Sequence, residues 1–115
     1  MIDAFGPDGW GELPSATGAR VLRKMLNESP EDGSCSLLRF EPGSRLPFHG
    51  SPVRIALLVL EGSLETAFID AAGETHTSLL SKGAFIQRPA GIQRSSWTKD
   101  GCLCLLMTAP LLQSC

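Results

Sequence analysis

A chain of 115 residues, 43% hydrophobic and 19% charged, is long enough to bury one core, too short for two, and unlike a disordered tail in composition. Its formal net charge of −2 gives no diffuse attraction to phosphate backbones or anionic lipid, which sets nucleic acid and membrane surfaces aside as partners. No apolar run approaches the ~20 residues of a membrane-spanning helix, and the opening MIDAFGPDGWGE is acidic where a secretory leader is basic and then apolar, so a cytoplasmic location is expected.

In chain order, residues 6–18 (GPDGWGELPSATG) are rich in glycine and proline and read as an irregular arm anchored by Trp10. Short apolar runs then alternate with turn signals: RVLRKML before NESPEDG, CSLLRF before EPGS, RIALLVL before EGS, LETAFID before AAGE, and THTSLL before SKG. AFIQ is closed by RPAG and QRSSW by TKDG, and the last run is CLCLLMT. No 3.6-residue apolar period persists over ten residues, so the spacing predicts an all-β domain of about eight or nine antiparallel strands, a sandwich or barrel. The expected organisation is an arm over residues 1–18, a barrel over 19–110 and a tail over 111–115.

RIALLVL is apolar on both faces, whereas an exposed antiparallel strand alternates. Something has to cover its outer side. A homodimer is expected there, with CLCLLMT and the terminal APLLQSC contributing to the interface.

The cysteines Cys35, Cys102, Cys104 and Cys115 read as buried free thiols in a cytosolic chain. Cys102 and Cys104 share one face of a strand. That spacing is too tight for an ordinary disulfide and is not a C-x-x-C redox or zinc signature.

Two stretches carry most of the functional information: PGSRLPFHGSPVRIALLVLEG at 42–62 and GAFIQRPAGIQR at 83–94. Gly43 and Gly62 stand where tight turns need a positive φ or no side chain, and Pro42 and Pro89 stop strands without removing a donor from their middles. Together the stretches resemble the two signature motifs of the cupin superfamily. Over roughly residues 18–108 the chain is most similar to the cupin domain of ChrR-type anti-sigma factors. That resemblance implies a single-domain antiparallel cupin β-barrel, a double-stranded β-helix or jelly roll. Gly43, His49 and Gly62 match the first motif; Gly83, Pro89 and Gly91 match the second. Of the motif's four metal-ligand positions only His49 keeps a ligand, with Ser51, Ile55 and Arg94 at the other three.

A catalytic first-row metal wants three or four imidazole or carboxylate ligands. One histidine beside a fixed guanidinium charge offers no such set, so no metal and no cofactor are expected. His49 is a candidate general base, since imidazole titrates near neutral pH without a metal. Arg39, Arg45, Arg54, Arg88 and Arg94 lie near the two motifs, while Arg20 and Arg23 belong to an earlier strand. Alternation turns Arg54 outward if Ile55 faces in, which leaves Arg94 as the expected forked donor for a carboxylate or phosphate. The opposing reading pairs Arg94 structurally with Glu41, Glu61 or another acid. His76 falls near a hairpin tip and reads as a solvated turn residue.

The reading these residues favour is a binding or regulatory module for a small anionic molecule, its pocket ringed by His49, Ser51, Ile55 and Arg94. Two alternatives stay open: a metal-independent enzyme of isomerase, epimerase or lyase type using His49 and Arg94, and a partner-binding domain of the ChrR type.

Overall fold

The computed structural model describes residues 3–27 and 33–108. The expected tail 111–115 with Cys115, the interface segment APLLQSC and most of the NESPEDG turn lie outside the described residues. Among the described residues nine strands follow one another: β1 (Trp10–Leu13), β2 (Val21–Met25), β3 (Cys35–Phe40), β4 (Arg45–His49), β5 (Ile55–Ile69), β6 (Thr75–Ser81), β7 (Phe85–Arg88), β8 (Gln93–Trp97) and β9 (Cys102–Thr108). The described residues contain no helix, and so none that could cross a membrane.

All pairings are antiparallel, in the order β1-β2-β3-β9-β5-β8-β4, with β6 and β7 also hydrogen-bonded to β5. The sheet closes on itself because β5 belongs to both walls. Its first part, Ile55–Gly62, pairs with β7 and β9, and its second part, Ser63–Ile69, pairs with β6 and β8. The bend between them has a local cause. The β5–β9 register shifts between Val59 and Glu61, and Gly62 sits at φ 77°. A Cβ on Gly62 would lie 2.2 Å from the carbonyl oxygen of Gly101. Glycine is therefore required twice over, by conformation and by space.

Side chains alternate across these strands. Val21, Leu38, Phe40, Leu57, Val59 and Leu64 point inward and form the buried core with Cys102 and Cys104. On the outer face Lys24 is only 4% exposed, because its ammonium donates to the carbonyls of Asp3 and Gly6. The first described residues thus lie over β2 and cover part of the outer surface.

Three local expectations need correction. The arm read as irregular contains β1, an edge strand in register with β2 from Trp10↔Lys24 to Leu13↔Val21; the Trp10 indole N–H donates to Gly6 O (2.9 Å), and the Arg39 guanidinium lies 4.7 Å from the ring centroid. The segment RLPFH, not expected as a strand, is β4. Pro47 is tolerated there because β4 ends the strand order and pairs only with β8, where the register shifts between Leu46 and His49. RIALLVL and LETAFID, read as two strands parted by EGS, are one continuous strand through the Gly62 bend.

Candidate functional site

The two walls enclose a cavity of about 370 Å³, at the small end of the ~300–1,000 Å³ usual for small-molecule sites. Its rim comes from the end of β1, β4 and the β4–β5 loop, including Pro14, Pro47 and Pro52, and its interior from Leu38, Phe40, Leu57, Leu64 and Leu106. His49, Ser51, Ile55 and Arg94 all line it. The fold brings them together because His49 ends β4 opposite Arg94 on β8, while Gly91 N–H donates to Ser51 O at 2.8 Å and ties the second-motif turn to the loop that enters β5.

Their chemistry differs sharply. His49 Nδ1 lies 2.9 Å from Pro47 O; a carbonyl only accepts, so Nδ1 carries the hydrogen, and in the neutral ring Nε2 has the lone pair. The Ser51 hydroxyl donates to Val53 O (2.9 Å) and accepts from Val53 N–H (3.3 Å), closing its own turn. Ile55 is 2% exposed and offers hydrocarbon. Arg94 sits in register between His49 on β4 and Phe68 on β5, and its Nε is buried with no hydrogen-bond partner. Burial depresses the Arg94 pKa, and the neighbouring Arg88 guanidinium depresses it further. A guanidinium still stays charged under such pressure.

The acids considered as structural partners for Arg94 are engaged elsewhere. Glu41 forms a salt bridge with Arg20 at 2.9 Å, and Glu61 lies 3.6 Å from Lys82. Among the described residues no Asp or Glu lines the cavity. Behind Arg94 a smaller hollow of about 10 Å³, walled by Thr66, Phe68, Arg88 and Ser96, leaves room for about one water-sized atom. Thr66 Oγ1 is also buried there without a partner, and Arg88 stacks 4.5 Å from the Phe68 centroid.

Arg23 also lines the cavity, although the sequence reading left it on an early strand away from the motifs. The signal was present in β2: Val21 and Met25 flank Arg23 at two-residue spacing, so an inward Val21 turns Arg23 inward too. Arg39 and Arg45 instead stack on Trp10 and Trp97, at 4.7 and 4.9 Å, and Arg54 is exposed.

His76 is exposed, as a hairpin residue would be, yet it is not simply solvated. Its Nε2 lies 2.6 Å from Asp70 Oδ2, and its ring stacks on Phe68 at 4.8 Å. Asp70, Glu74 and His76 bring potential metal-ligand atoms within 4.8 Å of one another. The cluster is a built turn, however, since Asp70 Oδ1 already accepts from the backbone N–H groups of Ala72 and Glu74. Cys35, Cys102 and Cys104 are free thiols; the Cys104 pKa is pushed well up by its hydrogen bond to Cys102 and by burial.

The cupin resemblance raises the question of a metal in the barrel. One imidazole with a single available nitrogen, a hydroxyl engaged in its own turn, a hydrocarbon and a guanidinium do not make a donor set for a first-row cation.

Fold and cavity together define an all-β cupin barrel. No protein-family model matches the chain, and no curated protein matches it. Solved structures do. Over 86% of this chain, at 18% identity and a TM-score of 0.71, it is similar to oxalate decarboxylase of Bacillus subtilis, a protein with Mn(II) centres. A second structure of that enzyme, at pH 4.6, gives a TM-score of 0.70. Over 80% of this chain, at 21% identity and a TM-score of 0.67, it is similar to a conserved protein of unknown function from Streptococcus pyogenes, of which 75% is covered. The chain spans 27% of the length of the decarboxylase, and at these identities the likeness is one of fold.

Proposed function

We propose that this barrel is a binding or regulatory module for a small anionic molecule, held in the cavity by Arg94 without a metal. The observation that carries the reading is the Arg94 guanidinium: among the described residues its buried Nε has no hydrogen-bond partner, and the cavity wall holds no carboxylate. An unpaired buried charge costs several kcal/mol. An anion entering the cavity relieves that cost and gains charge-assisted hydrogen bonds. The Bacillus subtilis neighbour has Mn(II) centres. Here the position of a ligating histidine carries a fixed cation, which substitutes one positive centre for another.

Thermal-shift and calorimetric titration of the purified chain with carboxylate and phosphate compounds tests this, alongside elemental analysis. Binding that weakens by about 2 kcal/mol or more in Arg94→Gln, and less in His49→Ala, supports the module. Near one equivalent of a transition metal, lost on His49→Ala, would reverse it.

His49 favours a second reading. With Nδ1–H fixed on Pro47 O, Nε2 is an available base in the same cavity as Arg94, the pairing a metal-independent isomerase or lyase needs. Turnover of a bound acid that disappears in His49→Ala would establish it. As a partner we propose a second copy of the chain, seated on the outer apolar face of β5, β7 and β9.

A further inference from the structure

We infer that the cavity ligand is a monoanion with an apolar body, a medium-chain carboxylate, its head group at Arg94 and its hydrocarbon against Leu38, Leu57, Leu64 and Leu106. This inference rests on the anion-binding reading above and narrows it to one ligand class.

The cavity's polar chemistry is confined. Arg94 and Ser96 are two residues apart on β8 and therefore share its inward face, so a guanidinium and a hydroxyl donor stand together on one wall. Most of the remaining interior is hydrocarbon from β3, β5 and β9, with Phe40 and Ile55 beside the four leucines. A compact, fully polar anion would satisfy Arg94 but leave those side chains facing water. An apolar chain attached to the anionic head covers both.

The charge inventory argues for a single negative charge. Among the described residues the Arg, Lys, Asp and Glu side chains on the wall are Arg23 and Arg94. Arg94 is orphaned at a buried Nε, whereas Arg23 is exposed, where solvent and salt screen it. One desolvated cation calls for one desolvated anion; a second carboxylate would lose its hydration with only a screened partner to replace it.

Isothermal titration of the full chain with octanoate, suberate, oxalate, inorganic phosphate, 1-octanol and octylammonium separates the terms. Octanoate is expected to bind at least tenfold more tightly than suberate, oxalate or phosphate, and octylammonium not at all. Arg94→Gln is expected to weaken octanoate at least tenfold and to leave 1-octanol nearly unchanged. Oxalate or phosphate binding as tightly as octanoate, through Arg94, would overturn the apolar-body assignment while the anion-binding reading stands. Suberate binding more tightly than octanoate would overturn the single charge. Octanol matching octanoate on the unaltered protein would remove the head-group role of Arg94, whether or not the variant folds. Absence of binding by every anion would overturn both readings.

Discussion

Arg94 is held by the fold against its own solvation. A guanidinium with a buried, unpaired Nε beside Arg88 loses hydration and gains no carboxylate in return. Arg94→Met is therefore expected to raise the urea-unfolding free energy of the ligand-free protein by about 1–3 kcal/mol while abolishing anion binding. A loss of stability in that variant would mean the guanidinium has a structural partner. Surface charges follow a different logic. The Arg20 side chain holds the Glu41 carboxyl below its ordinary value by hydrogen bonding, and the His76 imidazole does the same to Asp70. A depressed folded pKa stabilises above the unfolded value and loses that contribution as pH falls through the folded one. Acid titration of stability is thus expected to fall below the ordinary carboxylate range and to fall less in Glu41→Gln. Both carboxyls are partly exposed and screened by solvent, so the change is small. At this scale the sequence showed an arginine at the end of the stretch GAFIQRPAGIQR. It could not show which acids lie nearby, because Glu41 and Glu61 are claimed by Arg20 and Lys82 through contacts made only in the folded chain.

Strand β5 does the topological work, and it does so through one residue. Gly62 lets a strand of 15 residues cross from one wall to the other at φ 77°, with the Gly101 carbonyl packed where a side chain would begin. Gly62→Ala is expected to cost at least ~2 kcal/mol, combining left-handed strain with a backbone clash. Gly43→Ala, at φ 80° but with open space around it, is expected to cost only ~1 kcal/mol of strain. Equal losses in chemical denaturation would show that the clash contributes nothing. The turn signal EGS was legible in the sequence but reads equally as a break between two strands. Likewise Pro47 argues against a strand until β4 is known to lie at the end of the strand order.

At the scale of the molecule, the outer face carries the unsettled apolar surface. Leu105, Leu58 and Phe85 align in register across β9, β5 and β7, and Phe85 is 51% exposed. A dimer through this face is expected by sedimentation at micromolar concentration. Phe85→Lys is expected to shift it toward monomer without altering cavity binding; a wild-type chain sedimenting only as monomer would remove the second copy. What the sequence determined by itself was the class of architecture. Short apolar runs punctuated by glycine and proline admit antiparallel strands and little else, and Gly43, Gly62, Pro89 and Gly91 mark where the chain turns whatever it packs against. The sequence also determined that His49, Ser51, Ile55 and Arg94 offer one imidazole between them. Tertiary structure alone decided that β1 and β4 are strands and that, among the described residues, no carboxylate joins Arg94 on the cavity wall. The physical reason is range. Turn chemistry and alternation are set within a few residues, whereas the charge that balances Arg94 depends on which side chains, dozens of residues apart, a closed barrel brings to one cavity.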